Sequence, residues 1–319
     1  MLVKGQWQKD FDPVQGTDDE GGFVRDASLF RNWITLDGSP GPNGKGGFRA
    51  EVGRYHLYVA LICPWACRTL MARKIKGLED VISVTVLDPR LTDKVWRFGD
   101  FNDAMPETEP DPLYTAEYLY EIYLQANTEY TGQITVPVLW DKKLNTIVNN
   151  ESSEIIRMFN NGFGDPARND VDLYPEDLQQ EIDGVNDRLY SRFNNGVYRA
   201  GFATTQIAYE KAVKEVVESI EYLDQRLDGQ DYLVGNRLTE ADIRAFVTLI
   251  RFDLAYFGLF KINIHQIREY ANLRAYMQRI YELPGIAETV NASHIKAGYY
   301  SIEALNPQGI VPVGPETLW

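Results

Sequence analysis

The stretch Tyr55-His-Leu-Tyr-Val-Ala-Leu-Ile-Cys63-Pro64-Trp65-Ala66-Cys67-Arg68 decides how this chain is read. An apolar run rich in β-formers ends at Cys63, and Arg68-Thr-Leu-Met-Ala-Arg-Lys74 continues as helix-compatible sequence. Pro64 suits the first helical position, where a missing N–H costs nothing. A cysteine at such a junction meets the exposed N–H groups and the positive dipole end of a helix. Those groups stabilise thiolate over thiol, which predicts a lowered thiol pKa and a nucleophilic sulfur at neutral pH. The competing reading is a buried cysteine packing as a small hydrophobe. The local sequence leaves both open.

Composition narrows the setting. A chain of 319 residues is long enough for two domains. Hydrophobic residues at 44% and charged residues at 24% suit a soluble globular protein. A net charge of −14 argues against a nucleic-acid partner, which needs a basic stripe, and against anionic membrane surfaces. A local cationic pocket can still hold a small anion. His56, His265 and His294 are widely separated, and no Cys or His pair has zinc-ligand spacing, so no metal is expected. Two cysteines do not make a secretory disulfide framework. Met1-Leu-Val-Lys-Gly-Gln-Trp-Gln-Lys-Asp10 lacks the apolar core of a signal peptide. No apolar run approaches the ~20 residues of a membrane span. The expected location is cytoplasmic.

Residues 1–53 read as an arm packed on the core. Asp37-Gly-Ser-Pro-Gly-Pro-Asn-Gly-Lys-Gly-Gly47 is too rich in Gly and Pro for a helix or interior strand, whereas Trp7, Phe23, Phe30, Trp33 and Phe48 favour packing. Residues 54–165 alternate strand and helix patterns. The predicted strands are His56–Ile62, Val81–Leu87, Val136–Trp140 and Thr146–Asn149, with helices over Pro64–Lys76 and from about Glu151. An insertion at about residues 88–133 is proline-rich, and its Tyr114–Gln125 portion has a helical pattern. This β-α-β opening followed by a hairpin resembles a thioredoxin-type unit. After a linker at Asp165–Asp170, residues 166–319 are mainly helical and end in an irregular tail. Helices are predicted at Ala208–Leu227 and Tyr270–Leu283, and Thr239-Glu-Ala-Asp242 is a helix-start signal. The fold class is therefore α/β plus all-α.

Dithiol redox chemistry would call for Cys-x-x-Cys, but position 66 is Ala66, and Cys67 lies one residue too late. A single nucleophilic thiol needs an external thiol to finish its cycle, and glutathione is the obvious candidate. Val136-Pro137 can present backbone groups to such a tripeptide if the proline is cis at a strand start. Asn150-Glu151-Ser152 opens a helix, where N–H groups and a hydroxyl can bind a carboxylate and Glu151 can pair with an amine. Each segment also has an ordinary reading, as a strand start and as helix capping. Their order after a Cys-Pro helix start favours the ligand reading.

The chain resembles the glutathionyl-hydroquinone reductases, the Xi class of the glutathione transferases. The likeness spans nearly the whole chain. Phe30-Arg-Asn-Trp33, Tyr55-His-Leu-Tyr58, Cys63-Pro-Trp-Ala66, Thr135-Val-Pro-Val-Leu-Trp-Asp141 and Asn150-Glu-Ser152 carry it in the first half. Asn194-Asn-Gly-Val-Tyr198, Leu238-Thr-Glu-Ala-Asp-Ile-Arg244 and Pro284-Gly-Ile-Ala-Glu-Thr-Val-Asn291 carry it in the second. The resemblance implies a homodimer, each subunit a thioredoxin-like N-terminal domain followed by a helical glutathione-transferase C-terminal domain. It implies reduction of a glutathionylated aromatic substrate, with glutathione as co-substrate. Cys63 would form a mixed disulfide with glutathione, and Trp96, Val136, Glu151 and Ser152 match glutathione-site positions. Arg97, next to Trp96, adds a cation suited to a glycine carboxylate. Tyr198, Tyr256 and Tyr299, the last with Tyr300 beside it, match the aromatic-substrate site, where phenols can donate a proton or hold oxygens. Cys67 stands where the family usually carries His, and the tail after Pro307 diverges.

Two other functions use the same features. An omega-like thiol transferase or dehydroascorbate reductase shares the cysteine chemistry without needing the three tyrosines. A non-catalytic protein could keep the fold alone, although Cys63 within its full box speaks against that.

Overall fold

The computed structural model describes residues 1–8, 16–167 and 169–319. The expected arm at residues 9–15, and Arg168 in the expected linker, lie outside the described residues. The chain forms two compact units, one of residues 1–13, 27–170 and 289–301, the other of residues 14–26, 171–288 and 302–319.

In the first unit, β1 (Leu2–Val3) turns back on β2 (Gln6–Trp7), and β3 (Trp33–Thr35) runs parallel to β4 (Gly47–Arg49). Residues 27–35 are tied to the sheet. The Asn32 N–H donates to the Val148 carbonyl at 3.0 Å, and Arg31 pairs with Glu154 at 2.6 Å.

The main sheet has the order β6-β5-β7-β8, with β5 Tyr55–Val59, β6 Ile82–Val86, β7 Val138–Asp141 and β8 Thr146–Asn149. β5 pairs parallel with β6 and antiparallel with β7. β5 is the inner strand between them and all five of its residues are buried, which means both of its faces are covered, so it reads as an unbroken buried run rather than an alternation. α1 (Pro64–Ile75) crosses from β5 to β6 and buries most of its residues. It stops at Gly77, which takes the left-handed conformation (φ 63°). The Gly77 and Leu78 N–H groups donate to the Lys74 and Arg73 carbonyls at 3.0 and 2.9 Å, a Schellman ending.

The helix expected over Tyr114–Gln125 is shorter, α2 (Leu119–Ala126). The Asp111 carboxylate gathers the N–H groups of Leu113, Tyr114 and Ala116 at 3.2, 2.9 and 3.1 Å, and this holds the segment in a turn. β7 starts at Val138 rather than Val136, since Pro137 has no N–H for the ladder. α3 (Ser152–Asn161) follows β8 and packs on α1. The order β-α-β, then hairpin, then helix is the thioredoxin-like arrangement.

The second unit is helical. It holds α4 (Gln179–Leu189), α5 (Gly196–Gly201), α6 (Gln206–Arg226), α7 (Glu240–Arg251) and α8 (Ala271–Tyr281). Every residue of α7 is buried, as in a core helix. π-helical turns at Tyr190–Asn194 and Phe252–Tyr256 extend α4 and α7. Such turns are rare and often sit at functional sites.

α9 (Ala292–Tyr300), in sequence part of the helical stretch at 166–319, belongs to the first unit. It lies close on the segment that leads to Cys63. A Cβ at Gly298 would fall 2.5 Å from Ile62 Cδ1 and 2.7 Å from the Pro89 carbonyl oxygen, so only glycine fits.

Candidate active site

Cys63 is the N-cap of α1, with an extended backbone (φ −74°, ψ 119°) and Pro64 next in the helix. Its carbonyl accepts the Cys67 N–H at 3.0 Å, the first turn of the helix. The side chain gives no capping hydrogen bond, and the first turn carries no acidic residue to offset the helix dipole. The thiol instead donates to the Val136 carbonyl at 3.5 Å. Cys63 is 9% exposed. A sulfur held at this end of a helix faces N–H groups that favour a thiolate over a thiol.

Cys67 sits one turn further on and is fully buried. Its thiol donates to the Thr289 carbonyl at 3.4 Å, just ahead of α9. Neither cysteine is in a disulfide.

The Val136–Pro137 peptide bond is cis, the isomer that the ligand reading of this dipeptide requires. Trp96, almost fully buried, donates through Nε1 to the Ile134 carbonyl at 3.1 Å and so lies against the same segment. Arg97 is engaged by protein groups. It pairs with Glu117 at 3.0 Å, and its guanidinium stacks 3.9 Å from the centre of the Phe101 ring.

Glu151 is the N-cap of α3 and Ser152 its first residue. The Glu151 carboxylate accepts from the Ser153 N–H at 3.0 Å, the Ser153 hydroxyl at 2.9 Å and the Ser28 hydroxyl at 3.2 Å. Burial pushes its pKa up, but the Ser153 donors and the Arg68 and Arg31 guanidiniums outweigh burial and hold it below the usual carboxylate range. An ionised carboxylate there is ready for an ammonium group. The Ser152 hydroxyl is buried and has no hydrogen-bond partner among the described residues. A buried polar group of that kind is costly unless something else meets it. A carboxylate at the N-terminus of α3 would accept both the hydroxyl and the backbone N–H groups.

Arg68 did not stand out in the sequence. It is almost fully buried on α1, stacks 4.4 Å from the centre of the Trp65 ring and supplies part of the positive field at Glu151. The signal was available, since a cation five residues after Cys63 on an otherwise apolar helix face demands a buried partner.

Tyr299 lies on α9 in this same unit and is buried, while Tyr300 is half-exposed. The other two tyrosines meet in the helical unit. Tyr198 is on α5, directly after one π-helical turn, and Tyr256 closes the other. Their ring centres are 6.1 Å apart, edge to face, and Phe260 joins both at 5.7 and 5.1 Å. Tyr256 is fully buried, and Tyr198 is partly open. Among the described residues no group of three or more His, Cys, Asp or Glu is placed to hold a metal ion.

Comparisons with known proteins place the chain in a family. The family model for Glutathione S-transferase, N-terminal domain, matches residues 62–161, and that for Glutathione S-transferase, C-terminal domain, matches residues 206–279. Glutathionyl-hydroquinone reductase YqjG of Escherichia coli (strain K12) is 51% identical over 316 residues, covering 99% of this chain and 95% of that protein. The glutathione-bound structure of YqjG aligns with a TM-score of 0.90 at 49% identity, over 100% of this chain and 97% of that one. The glutathione-S-transferase Xi from Phanerochaete chrysosporium also aligns with a TM-score of 0.90 at 49% identity, over 98% of each chain.

Proposed function

We propose that this chain, which belongs to the glutathionyl-hydroquinone reductases, the Xi class of the glutathione transferases, reduces glutathionyl-hydroquinones to hydroquinones with glutathione as co-substrate. The observation that carries the mechanism is Cys63 at the start of α1, its sulfur beside the Val136 carbonyl.

In the first step the Cys63 thiolate attacks the glutathione sulfur of the conjugate. A sulfur–sulfur bond forms, and the bond from that sulfur to the aromatic carbon breaks. The electron pair stays on the ring carbon, which takes a proton, and hydroquinone leaves. Glutathione then enters as thiolate and attacks the glutathione sulfur of the mixed disulfide. Oxidised glutathione departs and Cys63 is again a thiolate. The conjugate is reduced, and two glutathione sulfurs are oxidised.

Glutathione binding is assigned to the domain at residues 54–165. Val136 gives the backbone contact, Trp96 supports that segment, and Glu151 and Ser152 take the amino and carboxylate groups at the far end of the tripeptide. Arg97 is assigned to the glycine carboxylate, for which it exchanges Glu117. The helical domain at residues 166–319 serves the aromatic ring. Tyr198 donates the proton to the departing carbon. Tyr256 and Tyr299 hold the hydroquinone oxygens. The working form is a homodimer in the cytoplasm. No helix among the described residues is long and apolar enough to cross a membrane.

The test is direct. Incubation with a glutathionyl-hydroquinone and glutathione should yield hydroquinone and oxidised glutathione in equal amounts. Failure to release hydroquinone, with brisk reduction of dehydroascorbate, would replace this reading with an omega-like activity.

A further inference from the structure

The segment at residues 16–26 belongs to the helical unit, although it precedes the sheet in sequence. It is held there by specific bonds. The Gly21 carbonyl accepts the Thr204 N–H at 3.0 Å, and the Glu20 carbonyl accepts the hydroxyl of Thr205, the N-cap of α6, at 2.8 Å. Asp18 folds the loop on itself by accepting the N–H groups of Glu20 and Gly22 at 3.0 and 2.7 Å. Phe23 packs on Phe202 with ring centres 5.7 Å apart.

This anchoring delivers one cation to the tyrosine cluster. The Arg25 guanidinium carbon lies 4.9 Å from the centre of the Tyr198 ring. Its Nε donates to Asn195 Oδ1 at 2.9 Å. Asn195 is buried and joins the first π-helical turn to α5, one helical turn ahead of Tyr198. The cation and the phenol are thus fixed to the same short piece of backbone. Tyr256, from the other π-helical turn, is the second titratable group at the ring, and Arg199 on α5 is paired with Glu215 at 2.6 Å.

A cation over an aromatic face is attracted by the π electrons. The attraction is greater for a phenolate, whose ring carries extra negative charge, than for a phenol. An interaction stronger after proton loss than before it lowers the barrier to proton donation.

We propose that Arg25 is a positioning residue for the reduction: it fixes the Tyr198 ring and stabilises the phenolate left when Tyr198 gives its proton to the departing hydroquinone carbon. This rests on Tyr198 being the acid. The proton leaves Tyr198 Oη for the ring carbon, and the thiol of the incoming glutathione, which must ionise to attack the mixed disulfide, returns one.

Three variants test it, Arg25→Met, Arg25→Lys and Tyr198→Phe, each assayed on a glutathionyl-hydroquinone and on 2-hydroxyethyl disulfide. The second substrate needs the thiol but no ring protonation. Arg25→Met should lower kcat for hydroquinone release about 3- to 30-fold. It should leave the KM for glutathione unchanged and move the alkaline limb of the kcat–pH profile to higher pH. Arg25→Lys should recover most of the rate, and disulfide reduction should stay at its original level in Arg25→Met and Arg25→Lys. Wild-type kcat and an unmoved alkaline limb in Arg25→Met, with Tyr198→Phe slow, overturn the role of Arg25 alone. Equal loss on both substrates in Arg25→Met overturns it too, as a general structural effect. Full hydroquinone release by Tyr198→Phe overturns the assignment of the acid.

Discussion

Two helix starts in this molecule are built in opposite ways. α1 begins at a cysteine that gives no capping hydrogen bond, with no acidic residue in the first turn. α7 begins at Thr239, and Asp242 closes it. The Asp242 carboxylate accepts the Thr239 N–H at 2.8 Å, the Thr239 hydroxyl at 3.1 Å, the Leu233 N–H at 2.9 Å and the Tyr276 hydroxyl at 3.0 Å. One helix end leaves its field unopposed beside a sulfur, and the other is closed by a carboxylate within the fold. A third start, at α3, lies between these extremes. Glu151 caps the helix, yet the hydroxyl of Ser152 beside it has no partner among the described residues. The state of a helix terminus thus separates chemistry from architecture.

The comparison is broken most severely at Cys63. Cys63→Ser should cut hydroquinone release on the order of 10³-fold or more, as loss of a covalent nucleophile does, with the melting temperature unchanged. In the intact protein, alkylation of Cys63 by iodoacetamide should titrate below the ~8.5 of a free thiol. A curve at the ordinary thiol value would remove the special status of α1.

At α7 the loss should fall on stability. Asp242→Ala removes a cap, strands the Leu233 N–H and leaves the Tyr276 hydroxyl only its 3.3 Å bond to the carbonyl of residue 242, a cost of roughly 2–4 kcal/mol. Urea unfolding measures that, while turnover per folded molecule should stay near wild type. A drop in turnover without a drop in stability would contradict the division drawn here.

The intermediate start predicts an effect on binding. Glu151→Gln should raise the KM for glutathione about tenfold, with kcat nearly intact. Because Glu151 is held below the usual carboxylate range, wild-type KM should not rise until the pH has fallen below that range. A KM that climbs near the ordinary glutamate value would contradict the field assigned to Arg68 and Arg31.

The two carboxylates also respond to pH with opposite sign. Burial raises the Asp242 pKa to about 6 despite its four donors. A carboxyl raised in the fold contributes stability that is complete below its unfolded pKa and is lost as pH climbs through the folded value. Asp242 therefore favours the fold less at pH 7 than at pH 4, and Asp242→Asn should flatten that part of the stability curve. Glu151, depressed in the fold, contributes above the usual carboxylate range and loses its contribution as pH falls. The smallest expected effect is at Cys67, where Cys67→Ser should change turnover less than about twofold, since its thiol is taken up by the Thr289 carbonyl and hydroxyl at 3.4 and 3.9 Å.

The thiol side of the site was legible because its parts are local. A β-run, a cysteine, a proline and a helix pattern lie within one short stretch, and the structure joins them in that order. Val136-Pro137 and Glu151-Ser152 stand out for the same reason, since the first is a dipeptide just ahead of a strand and the second opens a helix. The tyrosine side was harder. Nothing in the periodicity of residues 190–201 or 240–256 signals a π-helical turn, because one extra residue per turn shifts the pattern too little to detect. Tyr198 and Tyr256 were named through resemblance rather than spacing. Arg25 stayed hidden because it sits in an arm whose pattern predicts no element at all. The shortened α2 shows a related limit, as a carboxylate at Asp111 overrode a helical pattern by binding three N–H groups.

Gly298, packed on Ile62, has a consequence for how the protein is born. It follows Cys63 by 235 residues in the chain. At ~5–20 residues per second, a ribosome would take roughly 10–50 s to supply it. Until then the nascent sheet and α1 stand without the helix that lies on Ile62. Ile62 and the backbone just ahead of Cys63 therefore lack their packing for that interval, and a fragment truncated ahead of α9 would keep them bare for good.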